Sequence, residues 1–135
     1  MKENRFNGED LIKYWVISSD DDFETMNAMY DSRKYNWSLF IGHLMIEKLF
    51  KAYFVKVKSS YPPHIHNLLR LAEKCGIDLT EERIEQLVTI TAFNINARYD
   101  DYKSSFKNQC TKEFTEYWLE KLKEIRKWIK ILIMQ

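Results

Sequence analysis

YNWSLFIGHLMIEKLFKAYFVKVK, Tyr35 to Lys58, is the stretch whose reading decides the fold. It reads as one helix of about two dozen residues, roughly 35 Å long at ~1.5 Å per residue. Apolar side chains cover nearly its whole circumference: Trp37, Phe40, Ile41, Leu44, Met45, Ile46, Leu49, Phe50, Phe54 and Val55. A helix apolar all round must be covered on more than one side. Within that surface sit His43, Glu47, Lys48 and Lys51. Glu47 and Lys51 stand four apart in the favourable acid-before-base order, so they meet on one face. The same ionisable groups interrupt any run long enough to span a bilayer.

The chain around this helix has 135 residues, enough for one domain (1–135) with a proper core. Its 45% hydrophobic and 30% charged residues belong to an ordinary globular protein rather than a disordered one. Only 3 Gly and 2 Pro leave few turns, which favours a handful of long helices over many short strands. A formal net charge of +1 supplies no global field toward nucleic acid, so any RNA contact needs a local patch. Cys75 and Cys110 are isolated thiols, suggesting neither a disulfide framework nor a zinc site. No signal peptide is visible, and a cytoplasmic location is expected.

Upstream, three/four spacing predicts a first helix from about Glu9 to Asp31, with Leu11, Trp15, Ser18, Asp22, Met26 and Met29 in one row. Its polar middle allows a break at Ser18–Ser19, but the apolar phase is kept across the gap and favours a single helix. Downstream, Pro62–Pro63 forces an extended connection. His66 or Asn67 then opens a short helix, Leu68 to Cys75, closed by Gly76. Thr80 caps the next helix, whose inner row Ile84, Leu87, Val88, Thr91 and Ile95 continues to Arg98. On that spacing Arg98 projects from the core-facing side. Tyr99–Cys110 is polar and reads as a loop or frayed turn. A last helix runs from about Thr111 to Ile133, with Phe114, Trp118, Leu122, Ile125, Ile129 and Leu132 on one side. The expectation is an all-α, antiparallel up-and-down bundle of four main helices plus one short one.

Several constellations carry chemistry. His43 and Glu47, at i and i+4, and His64 and His66, flanking Ile65, have spacings that can chelate. Neither joins a Glu-x-x-His motif or a paired carboxylate on a second helix, and no metal is expected. Otherwise His43 packs and His66 satisfies backbone. Nucleophile elbows and glycine-rich phosphate loops are missing. What remains is NINARYDDYK, Asn94 to Lys103. The planar fork of Arg98 suits either a phosphate or an inward acid such as Asp22 or Glu47. Tyr99 or Tyr102 offers a face on which a base stacks.

The ordered series of YW…DD in the first helix, LFIGHLMIEKLFKAYF in Leu39–Phe54, PPHIHNLLRLAEKCG in Pro62–Gly76 and NARYDD in Asn96–Asp101 resembles the HEPN domain (higher eukaryotes and prokaryotes nucleotide-binding). The likeness runs from about Asp10 to Ile131, and Glu-Lys-x-x-Lys-Ala at Glu47–Ala52 belongs to it. The resemblance implies an antiparallel bundle, commonly homodimeric, often encoded beside a small nucleotidyltransferase and acting in toxin–antitoxin or defence systems. Many such domains are metal-independent endoribonucleases with Arg, a polar residue, and His after four to six intervening positions. Aligning that arginine on Arg98 puts the histidine at Lys103, Ser104 or Ser105, and no histidine follows Arg98 in this chain. The missing imidazole is the group that titrates near neutrality; Lys103 and Tyr102 ordinarily do not. Tyr99 after Arg98 resembles the branch paired with nucleotidyltransferases, where a binding role is the usual inference. The expected function is therefore a dimeric module binding nucleotide, RNA or a nucleotidyltransferase, without a cofactor. Arg98, Tyr99, Tyr102 and Lys103 form its site, and Asp22, Glu47, Lys51 and His66 order it. The alternatives are a metal-independent endoribonuclease using His43 or His66, and a metal-binding bundle enzyme.

Overall fold

Asn7, Asn67, Thr80 and Thr111 each accept a hydrogen bond from the backbone amide three residues ahead, at Asp10, Arg70, Arg83 and Phe114. These caps satisfy amides that a helix start leaves without partners, and they fix where four helices begin. The computed structural model describes residues 5–135, the side chain of Asp100 apart. Among them are six helices: α1 (Gly8–Asp31), α2 (Tyr35–Lys58), α3 (Leu68–Lys74), α4 (Glu81–Arg98), α5 (Asp100–Gln109) and α6 (Lys112–Met134). The expected all-α bundle is what forms, and α2 has the bounds read from the sequence.

The apolar circumference of α2 is explained by its neighbours, since α1, α3, α4 and α6 all pack on it. Leu39, Met45, Ile46, Leu49 and Phe50 are fully buried, together with Leu87 and Ile90 of α4 and Leu122, Ile125 and Ile129 of α6. Gly42 lets α1 and α6 close on this central helix. A Cβ there would stand 2.5 Å from Cδ1 of Leu122 and 3.2 Å from Sδ of Met26.

α1 runs unbroken through Ser18 and Ser19. Its polar middle is partnered: buried Ser19 donates Oγ–H to the Met45 carbonyl at 3.0 Å, and Asp22 pairs with Lys48 at 2.8 Å. Asp20 takes Arg126 and Lys130 of α6 at 3.0 and 2.9 Å. Burial opposes the Asp20 charge, but the hydrogen bonds from Lys130 and Arg126 outweigh it and hold the carboxyl below the usual carboxylate range.

The structure departs from the sequence expectation between Tyr99 and Cys110. That segment is not a loop but the helix α5, so the bundle has one more element than expected. A single ring anchors it. Phe106 is buried and meets Phe93 of α4 with centroids 5.5 Å apart. Two aromatic residues in ten, Tyr102 and Phe106, are too few for a periodicity that decides a helix. No helix among the described residues is long and apolar enough to cross a membrane.

Candidate functional site

Glu47 lies on α2, 5% exposed, where a lone carboxylate would be costly. Two cationic or proton-donating groups compensate it. Lys51, one turn on and 6% exposed, donates Nζ–H to Oε2 at 3.0 Å, and its ammonium also lies 5.1 Å from the centroid of the Trp15 ring. His66, in the extended connection after Pro62–Pro63, has Nδ1 2.9 Å from Oε1. An ionised carboxylate only accepts, so Nδ1 carries the proton and Nε2 is the free nitrogen. The His66 side chain is 66% exposed. A buried acid thus holds an imidazole by one edge and leaves the other edge in solvent.

His43 ties this loop down from below. It is fully buried, and its Nε2–H donates to the His66 carbonyl at 2.8 Å. That assignment leaves Nδ1 as a buried acceptor without a partner among the described residues. Burial pushes the His43 pKa below its ordinary 6.5, against the His66 carbonyl and Glu47, with the charges of His66 and Arg98 adding to the shift. His43 and His66 therefore meet through a hydrogen bond from ring to backbone carbonyl. Among the described residues, no three His, Cys, Asp or Glu side chains gather as a metal would need.

Arg98 corrects a sequence expectation. It is exposed, not core-facing, and it pairs with neither Asp22 nor Glu47. The row read as inner is the outward one: Val88 and Ile95 are half exposed, and α4 buries Leu87, Ile90, Phe93 and Ala97 instead, so Arg98, at the end of the Val88–Ile95 row, faces out with it. Its Nε–H donates to the Asn94 carbonyl at 3.2 Å. The guanidinium carbon lies 5.8 Å from the Phe40 ring centroid and 5.5 Å from that of Tyr99. No acid within 4 Å neutralises it among the described residues. Tyr99 and Tyr102 are both about half exposed, and Lys103 lies over Trp37 at 5.4 Å. Of the predicted residues, Glu47, Lys51 and His66 form one cluster and Arg98, Tyr99 and Lys103 share the α4–α5 corner. Asp22 stands apart with Lys48. The sequence reading passed over Phe40, Trp37 and Trp15 as ligand-side or supporting rings, because each served equally well as core. Burial pushes both Cys75 and Cys110 up to about 12, so neither thiol is a nucleophile near neutrality.

Compared with known families, residues 12–132 match the HEPN domain. The chain belongs to the HEPN domain family. No curated protein and no solved structure matches it. HEPN membership carries a nucleotide- or RNA-related function, in domains that often dimerise. In this HEPN domain the positions where the family's histidine would fall, 103–105, lie on exposed α5 and hold Lys103, Ser104 and Ser105. The exposed imidazole held by Glu47 is that of His66, on the connection between α2 and α3.

Proposed function

We propose that this HEPN domain, taken as one unit over 1–135, is a dimeric module that binds a nucleotide or RNA at the corner carrying Arg98. Tyr99, Tyr102 and Lys103 flank the ligand, and Glu47 and Lys51 act from beneath by holding His66. A small nucleotidyltransferase as partner and a toxin–antitoxin or defence setting complete the reading. The observation that carries it is the Arg98 guanidinium. It is exposed, unneutralised by any described acid within 4 Å, and backed by Phe40 and Tyr99. A cation held against rings and open on its outer side suits a phosphate or a stacked base.

A second reading, metal-independent RNA cleavage, is favoured by the Glu47–His66 pair. A free Nε2 on an imidazole oriented by a carboxylate is the arrangement a general acid or base needs. In such a cleavage the ribose 2′-oxygen attacks the adjacent phosphorus and the 5′-oxygen leaves. The products are a 2′,3′-cyclic phosphate and a 5′-hydroxyl, with His66 relaying the proton.

One experiment addresses both. Fluorescence anisotropy of a labelled single-stranded RNA is measured with wild type, Arg98→Ala and His66→Asn in a chelator, and the RNA is then run on a gel. Losing a charge-assisted contact weakens binding roughly 10-fold to 100-fold in Arg98→Ala, with an unchanged melting temperature. Equal binding by Arg98→Ala, or its failure to fold, overturns the first reading. RNA left intact by the wild type removes the second, whereas cleavage lost in His66→Asn supports it.

A further inference from the structure

The turn between α1 and α2, the start of α2 and one side of α5 line a half-open cavity of about 450 Å³ that does not include Arg98. Four cations line it: Arg33 and Lys34 from the turn, Lys103 and Lys107 from α5. Lys103 and Lys107 stand one helical turn apart, where like charges repel and weaken a helix by about 0.2–0.5 kcal/mol. None of the four is paired with an acid within 4 Å among the described residues. In a chain whose formal net charge is only +1, this is a local concentration of unneutralised charge around a hollow.

Two further features point the same way. Asn36 lines the cavity although it is only 6% exposed, and its amide makes no side-chain hydrogen bond among the described residues. It sets a polar amide in the wall of the cavity beside the four cations. The cavity also lies at the start of α2, which has no side-chain cap and no acid in its first turn. The positive end of a 24-residue helix therefore adds to the four side chains.

We propose that this cavity is a polyphosphate site, holding two or more adjacent phosphates of a nucleotide ligand. A single carboxylate would neutralise one cation of four, whereas neighbouring phosphates match their number and spread. The volume is that of a small-molecule pocket and suits one nucleotide unit, not a duplex. Two sources offer this chemistry: a free nucleoside triphosphate, and successive phosphodiesters of a single RNA strand. The inference extends the proposed nucleotide-binding function, sharing Lys103 with it, but stands on Arg33, Lys34, Asn36 and Lys107, which lie outside the Arg98 corner.

The test titrates the full chain calorimetrically with inorganic tripolyphosphate, ATP and an eight-nucleotide single-stranded RNA, at two salt concentrations. Wild type, the double variant Arg33→Ala/Lys107→Ala, Lys107→Glu and Arg98→Ala are compared, with circular dichroism checking that each folds. Tripolyphosphate binding weakens about 10-fold or more in the double variant and in Lys107→Glu but is kept in Arg98→Ala. RNA binding, if the strand is the source, loses about 1.4 from its log–log salt slope on removal of two phosphate contacts at ~0.7 each. ATP binding without RNA binding assigns the site to free nucleotides, and the reverse assigns it to the strand. Wild type that binds none of the three probes at low salt overturns the proposal, as does wild-type affinity in both cavity variants. RNA binding lost in Arg98→Ala with tripolyphosphate retained supports both sites. RNA binding unchanged in Arg98→Ala leaves this cavity standing while removing the corner.

Discussion

At the scale of single residues, His43 has the largest consequence for pH. Burial lowers its pKa from 6.5, while the unfolded chain titrates at the ordinary value. Between those two values the unfolded state binds more protons, so stability rises with pH across the window. The contribution of neutral His43 is complete above about 6.5 and is lost as pH falls toward the folded value. Glu47, His66 and Arg98 are the charged or titratable groups that act on the ring, and they lie on α2, the α2–α3 connection and α4. Urea denaturation at pH 7, 6 and 5 is expected to show falling stability. His43→Gln keeps a donor for the His66 carbonyl but removes the titration, and so flattens that fall by up to about 1.4 kcal/mol per pH unit. An unchanged slope in the variant would place the acid sensitivity on another group. Spacing made Glu47 and Lys51 legible as a pair before any coordinates. It put His66 in the same site but not on Glu47, because a residue in an extended proline-bounded connection has no periodicity to say which helix it will face.

At the scale of elements, α5 is the weakest member of the bundle. Its start has no side-chain cap and its attachment runs through Phe106 against Phe93, backed by Phe93 against Trp118 at 5.5 Å. Phe106→Ala removes that ring, a change of about 3–5 kcal/mol at a fully packed site. The loss falls first on α5, because short helices owe their stability to packing more than to propensity. Hydrogen exchange is expected to quicken across Asp100–Gln109 while α2 stays protected. Uniform quickening throughout the chain would show that α5 is not a separable unit. This dependence on one ring is also why the segment was unreadable as a helix. The long helices announced themselves through continuous apolar rows and, for α4, through the cap at Thr80; the caps at Asn7 and Thr111 emerged only in the structure. Arg98 has a different cause: the buried row of α4 is Gln86, Leu87, Ile90, Phe93, Asn94 and Ala97. Val88 and Ile95, read from the sequence as inner, are half exposed, and Arg98 follows their outward row.

At the scale of the whole molecule, the question is which surface a second copy would cover. The apolar excess of α2 prompted the dimer expectation, yet α1, α3, α4 and α6 consume that surface within the monomer. Apolar residues left in solvent form a stripe on α4 instead. Val88 and Ile95 are two helical turns apart and half exposed, and Tyr99 follows four residues later. Arg98, three residues after Ile95, borders the same face. A two-fold contact along α4 would therefore bring the Arg98 side chains of both protomers toward one seam and give a strand-like ligand two cations rather than one. A stable interface buries about 800 Å² per partner, so α5 or α6 must contribute beside α4. Light scattering over a concentration series is expected to give dimer mass for wild type and monomer mass for Val88→Glu/Ile95→Glu, since charges on both faces of a two-fold repel. RNA affinity should fall with dimer mass if the seam is where the ligand lies. A wild type that stays at monomer mass at every concentration removes the dimer. A double variant that stays dimeric moves the interface off α4, and with it the argument for two arginines at one site.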